Sequence, residues 1–296
     1  MRRKKLEWSL VCLCLLACLS GTARAADQEY RQPDARELVA LVRAAAELVR
    51  QKGEAAFAEL NQAGGRWYQD DRYVFVDTCQ GVEVVNPAFP EFVGKDILNL
   101  RDAHGKTMVR DALDLACGPR GGQGWVFYQW PRPGAVEPSW KSSYVVGVRA
   151  PSGQGYVVGS GAYGLGMEHQ FLVQKVDQAC ELIRQKGEAA FPELRRTDGQ
   201  FVFRDTYVFV DSAEGVELVN PAFPGLEGRN LLRLTNLEGK PLVREYIDLV
   251  KAKGSGWVSY YWPKPGERAP SLKHTFVKGV EHGGKLYIVG CGGYPE

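Results

Sequence analysis

Histidine is scarce in this sequence: His104, His169, His274 and His282 are the 4 present among 296 residues. His274 and His282 lie eight apart, a spacing that fits neither one helical face nor a pair of zinc ligands. A G-x-S-x-G nucleophile elbow, an H-E-x-x-H pair, a phosphate-binding P-loop and a dinucleotide fingerprint are all missing. With no constellation for nucleophilic, metal-assisted or cofactor chemistry, the expectation is a protein that is not an enzyme and has neither cofactor nor metal.

Long apolar runs are missing too. None reaches the ~20 residues that a membrane-spanning helix needs. The longest opens the chain, where "MRRKK" precedes "LVCLCLLACL" and Ala23-Arg24-Ala25 follows. A basic start, an apolar stretch and a small-x-small site make residues 1–25 read as a secretory signal. Two readings stay open: cleavage near Ala25, giving a periplasmic or secreted protein, or lipidation of Cys18 as a lipoprotein. A charge excess is the third absence. Removing Arg2, Arg3, Lys4, Lys5, Arg24 and Glu7 with the signal takes the formal charge from +2 to about −2. A weakly acidic chain of interspersed signs offers nucleic acid no footprint.

What the sequence does have is itself, twice. "YVFVDTCQGVEVVNPAFP" from Tyr73 returns as "YVFVDSAEGVELVNPAFP" from Tyr207, and "QKGEAAF" from Gln51 returns unchanged from Gln185. After a two-residue deletion Trp125, Tyr128 and Trp130 match Trp257, Tyr260 and Trp262, and Lys141 matches Lys273. Each copy is too long for a solenoid repeat and suits a domain with its own core. Domains are expected over 34–164 and 168–296, joined by a short hinge at Gly164-Leu165-Gly166.

Each copy opens on a helix, with Leu38, Val42, Ala45 and Val49, or Leu172, Val176, Ala179 and Ile183, on one face. Asp34 followed by Glu37 reads as a capping box. A hairpin places Tyr73, Phe75 and Asp77 on one strand face and Val74 and Val76 on the other, so both faces are covered. Asp77 and Asp211 read as caps of the hairpin turn. A short helix around "GKTMVRDALDLA" and three strands near 123–130, 141–149 and 155–163 complete an α+β domain around one antiparallel sheet.

The string G-W-x-x-Y-x-W-P, then K-x-x-[YF], then V-G-x-G-x-Y resembles the Cache family, in its single-Cache, PAS-like form, over nearly all of both copies. The resemblance implies two tandem Cache domains, each a long N-terminal helix plus a PAS-like sheet, that sense small extracytoplasmic ligands. The family often has His before the proline of the hairpin return, where this chain has Asn86 and Asn220. The sequence ends at Glu296 after the last strand, so the expected protein binds a ligand without its own signalling output. It would pass occupancy to a separate membrane sensor or transporter.

Trp125 and Trp257 read as core packing. Lysine in the same place of both copies, beside a buried sheet, needs a partner or a route to water. The expected ligand, a small carboxylate or amino acid, would meet Tyr128, Trp130, Lys141 and Tyr144 in copy one and Tyr260, Trp262, Lys273 and Phe276 in copy two. The alternative is a structural or interaction module of the cell envelope with filled pockets. Cys79 and Cys117 occur together in one copy, Cys180 and Cys291 together in the other, as covalent partners would, and export permits both bridges.

Overall fold

The structure, a computed structural model, describes residues 30–118, 122–235 and 239–295. The signal segment and Cys18 lie outside the described residues. In the first module the elements run α1 (Pro33–Lys52), α2 (Phe57–Leu60), β1 (Tyr68–Gln69), β2 (Arg72–Thr78), β3 (Glu83–Val85), α3 (Met108–Ala116), β4 (Gln123–Pro131), β5 (Pro138–Arg149) and β6 (Gly155–Tyr163). The second repeats them as α4 (His169–Lys186), α5 (Phe191–Leu194), β7 (Val202–Phe203), β8 (Thr206–Ser212), β9 (Glu217–Val219), α6 (Leu242–Lys253), β10 (Ser255–Pro263), β11 (Pro270–His282) and β12 (Lys285–Gly293). Each module is α+β around a six-stranded antiparallel sheet. The first runs β1-β2-β6-β5-β4 with β3 also on β2, and the second runs β7-β8-β12-β11-β10 with β9 on β8.

Alternation along the strands divides each sheet into two buried faces. Val74, Val76, Trp125, Phe127, Tyr144, Val146 and Val158 pack under Leu38, Val42, Ala45 and Val49 of α1. Each such aliphatic residue removed from water contributes roughly 1.5–3 kcal/mol. The opposite face carries Val126, Tyr128, Val145 and Val157, covered by Met108, Val109 and Ala112 of α3. The long helix starts differently from the capping-box expectation. Pro33 occupies its first turn, no side chain caps it locally, and Asp34 instead reaches towards Arg72. The segment leading into the helix is held by the next module: the carboxylate of buried Glu168 accepts the N–H groups of Arg31 and Gln32 at 3.0 and 2.6 Å.

That contact belongs to a broad seam between modules. Strand β4 is an edge, and Gln174 of α4 pairs with it as a neighbouring strand would. Its Oε1 accepts the Trp125 N–H at 2.7 Å while its Nε2 donates to the Trp125 carbonyl at 2.8 Å. Phe171 packs 4.7 Å from Trp125, and Phe127 stacks on Phe203 with centroids 4.0 Å apart. Lys106 sends its ammonium to the carbonyls of Gly199 and Val202. The hinge is held as well, since Arg204 donates to the Leu165 carbonyl and Gly166 to Gln32. Among the described residues nothing covers β10 in the same way. Trp257, expected in the core, is therefore 39% exposed and stacks on His169, whereas Trp125 is 1% exposed.

Cys79 and Cys117 are bridged, tying the β2–β3 turn to the end of α3. In copy two the ammonium of Lys251 donates to the Ala213 carbonyl at 3.1 Å, joining the same two places without a covalent bond. The expected Cys180–Cys291 bridge is not formed. Both are buried free thiols, packed as small apolar side chains among Val176, Ile183 and Val289. No helix among the described residues is long and apolar enough to cross a membrane.

Two outcomes follow from this architecture. The chain from residue 26 onward, unfolded without reductant, should titrate two thiols from Cys180 and Cys291; none would show that those two are bridged after all. Gln174→Ala strands two backbone groups of the β4 edge and should lower stability by about 1–3 kcal/mol in urea denaturation. A change within a few tenths of a kcal/mol would mean that the seam does not depend on that pairing.

Candidate functional site

The face away from the long helix encloses a cavity in each module. In the first, ≈ 390 Å³ of space including its mouth lies between Tyr73, Phe75 and Asp77 of β2, Tyr128 and Trp130 of β4, and Met108 and Val109 of α3. In the second, ≈ 320 Å³ lies between Tyr207, Phe209, Tyr260, Trp262 and Tyr246. The disulfide bears on the first cavity because it fixes the far end of α3, whose first turn lines it.

A buried lysine stands at each cavity, Lys141 behind the lining of the first and Lys273 in the lining of the second. Lys141 pairs across the sheet with Tyr128 and so shares its face, with 1% of its surface exposed. The V-G-x-G-x-Y string is what admits it. A side chain at Gly161 would stand 2.4 Å from the Lys141 Cε, and one at Gly159 would stand 2.3 Å from the Phe75 ring. Gly292 and Gly290 do the same for Lys273 and Phe209. The Lys141 ammonium donates to the Tyr73 hydroxyl at 2.8 Å and lies 4.0 Å from that ring's centroid. Lys273 sits at the same 4.0 Å from Tyr207. Burial pulls the Lys141 ammonium down to about 7, against the attraction of Glu83 and Asp71, and brings Lys273 down to about 8.

Acids form the other wall. Asp77 does not cap the hairpin turn; the Thr78 hydroxyl does so, accepting the Val82 N–H at 3.1 Å. The register of β2 and β3 shifts between Val76 and Asp77, so Val85 pairs with Val76 under the helix while Glu83 pairs with Asp77 on the cavity face. This bulge re-aims Glu83. Asn86 then donates to Glu83 at 2.7 Å and accepts the Phe89 N–H at 2.9 Å, a pattern that Asn220 repeats with Glu217 and Phe223. Burial raises Asp77 well above the usual carboxyl range, with Glu83's charge adding to it. Glu83 rises to about 7 because burial outweighs the Asn86 hydrogen bond and Lys141.

The expected site residues divide by strand face. Tyr128, Trp130, Tyr260, Trp262 and Lys273 line the cavities. Lys141 lies on the same face but behind Tyr73. Tyr144 pairs with Trp125, and Phe276 with Trp257, so both point to the long helices. Tyr144 gives no hydroxyl to the cavity and instead accepts from Arg43 at 3.3 Å. The three-residue step from lysine to aromatic changes faces on a strand of period two. Tyr73, Glu83, Asn86 and their counterparts were not among the expected site residues. Their signal was present, because all recur in both copies, but the bulge that turns Glu83 inward left no mark in the alternation.

The titration of these groups fixes a pH dependence. Between 4.5, the ordinary glutamate value, and about 7, the folded protein keeps a proton on Glu83 that the unfolded chain has lost, so stability falls as pH rises. Between about 7 and 10.5 the unfolded chain keeps a proton on Lys141 that the folded state has lost, so stability rises again. Urea midpoints at pH 5, 7 and 9 should dip at 7, and Glu83→Gln should make the decline from 5 to 7 shallower. An unchanged slope in that variant would exclude Glu83 as its source.

The sequence profile described as Cache domain (dCache_2) matches residues 62–171 and 193–296. A methyl-accepting chemotaxis protein of Pseudomonas putida, McpP, is 30% identical over 110 residues, covering 37% of this chain and 19% of that protein. The chain thus spans about a fifth of that relative. A solved structure described as carboxylic acid recognition by a Cache chemosensory domain is 27% identical, covers 42% of this chain and 91% of its own, and has a TM-score of 0.38. The ligand-binding domain of the Pseudomonas fluorescens chemoreceptor CtaA in complex with L-alanine is 13% identical over 94% of this chain and 96% of its own, with a TM-score of 0.33. With both matched segments falling on the two helix-backed sheets, the chain belongs to the Cache domain family of small-ligand sensor domains.

Proposed function

We propose that this chain is an exported sensor-type binding protein for a small organic ligand of the carboxylate or amino acid class. The observation that carries the reading is the pair of cavities, each with aromatic walls and a buried lysine against a tyrosine ring. A buried ammonium near a cavity is costly unless something compensates it, and a ligand carboxylate is a natural partner for the charged form. Tyr128 and Tyr260 already have Ser143 and Thr275 as hydrogen-bond partners, at 2.8 and 3.0 Å, so their rings stand fixed as walls. The disulfide supports a location outside the reducing cytoplasm.

Thermal unfolding of the exported chain against short carboxylates and amino acids tests this. A binding ligand raises Tm with concentration, by about 2.7 kcal/mol of stability at one hundred times Kd. Lys273→Met should weaken the response to plain carboxylates, and Trp130→Ala the response of the first module. A Tm that no member of either class raises would end the reading.

A further inference from the structure

Each sheet ends on one long strand, β4 in the first and β10 in the second, while the opposite margins, β1 and β7, are two residues each. β4 is closed by α4, through Gln174 on both backbone groups of Trp125 and Phe171 on its ring. The register is the same in both sheets, Trp125 pairing with Tyr144 and Trp257 with Phe276. The N–H and C=O groups of Trp257 therefore point away from β11, as do those of Ser255 and Ser259 by alternation. Among the described residues none of these groups is paired. Trp257 at 39%, Tyr261 at 46% and Leu272 at 37% are exposed along the same margin, where Tyr261 and Leu272 pair across the strands.

A long open edge is a template for another strand, and proteins blunt such edges with charge, proline, a bulge or a cover. Between Ser255 and Trp262 β10 has no charge and no proline, and its pairing with β11 runs without a shift. The cover that β4 receives cannot come from a second copy. Its α4 is already engaged, and its α1 has Glu37 and Ala40 where α4 has Phe171 and Gln174. Its β10 is free, and that strand is complementary to itself. Turned about a two-fold axis through Trp257, it sets Ser255 against Ser259 and Trp257 against its own counterpart, so outward groups meet outward groups at every pair. We propose that two copies of this chain join edge to edge through β10, antiparallel, extending their two six-stranded sheets into one. The exposed margin then becomes the middle of a continuous sheet, with the two Trp257 rings in cross-strand contact.

Sedimentation equilibrium of the chain from residue 26 onward, over increasing concentration, tests this together with amide hydrogen exchange. The expected result is a species of twice the chain mass, with the Trp257 and Ser259 amides slowed in it and fast after dilution to the monomer. Two variants should each weaken association about 10-fold or more. Ser259→Pro removes an outward N–H that β11 does not use, a change that an edge strand tolerates in the monomer. Trp257→Lys sets two ammonium groups against each other across the axis. Far-UV circular dichroism reports whether each variant is folded, and Trp257→Lys decides the matter should Ser259→Pro fail to fold. A chain that stays monomeric at every concentration overturns the proposal. So does a dimer that ignores Trp257→Lys and leaves the β10 amides unprotected.

Discussion

An ammonium group almost wholly removed from water sits under each sheet, and the surrounding residues follow from accommodating it. Its stem needs room, which Gly161 and Gly292 leave by having no side chain where the lysine crosses the next strand. Its charge needs company, supplied by the ring faces of Tyr73 and Tyr207, by the Tyr73 hydroxyl, and at longer range by Glu83 and Glu217. Those glutamates face the lysines because a bulge displaces one residue of the hairpin return. Motif glycines, hairpin tyrosine and bulged glutamate are parts of one electrostatic arrangement. Without the lysine, an apolar filling would be simpler and at least as stable.

Placing the cavity on one side of the sheet and the long helix on the other separates ligand contacts from structural ones. The helix side is a continuous apolar layer in each module. The cavity side is polar at its back and aromatic at its mouth, where Phe89 and Phe92 stand 5.7 Å from Trp130. Helix α3 closes this side and also approaches the second module, because Lys106 precedes it and Asp111 lies near Lys175. The element over the first cavity therefore abuts the seam.

The seam occupies positions where the copies differ. Phe171, Gln174, Lys175 and Phe203 have Glu37, Ala40, Leu41 and Gln69 as counterparts in the first copy, and Phe127 has Ser259 in the second. These seam positions occur once, whereas Lys106 and Trp125, which also join the modules, recur as Lys240 and Trp257. The asymmetry of a linear tandem fits the residues that occur once, since α4 has a preceding β4 to cover and, among the described residues, no strand precedes α1.

Much of this was legible from the chain alone. The offset between copies, the period of the helices, the alternation of β2 and the glycine–aromatic strings depend on neighbours within a few residues, and determined an α+β tandem with lysines on a buried sheet. Other features are set by contacts across long separations. Tyr144 and Phe276 face the helices because register with β4 and β10 fixes their parity. Asp77 faces a cavity by the same alternation as Tyr73 and Phe75, leaving the turn to Thr78, and Glu83 joins it there because of the bulge. Cys180 and Cys291 remain thiols in a packed core, although they occur together in one copy as the bridged pair does in the other. Side-chain direction, bulges and burial arise from pairing between distant strands, and only the tertiary structure could decide them.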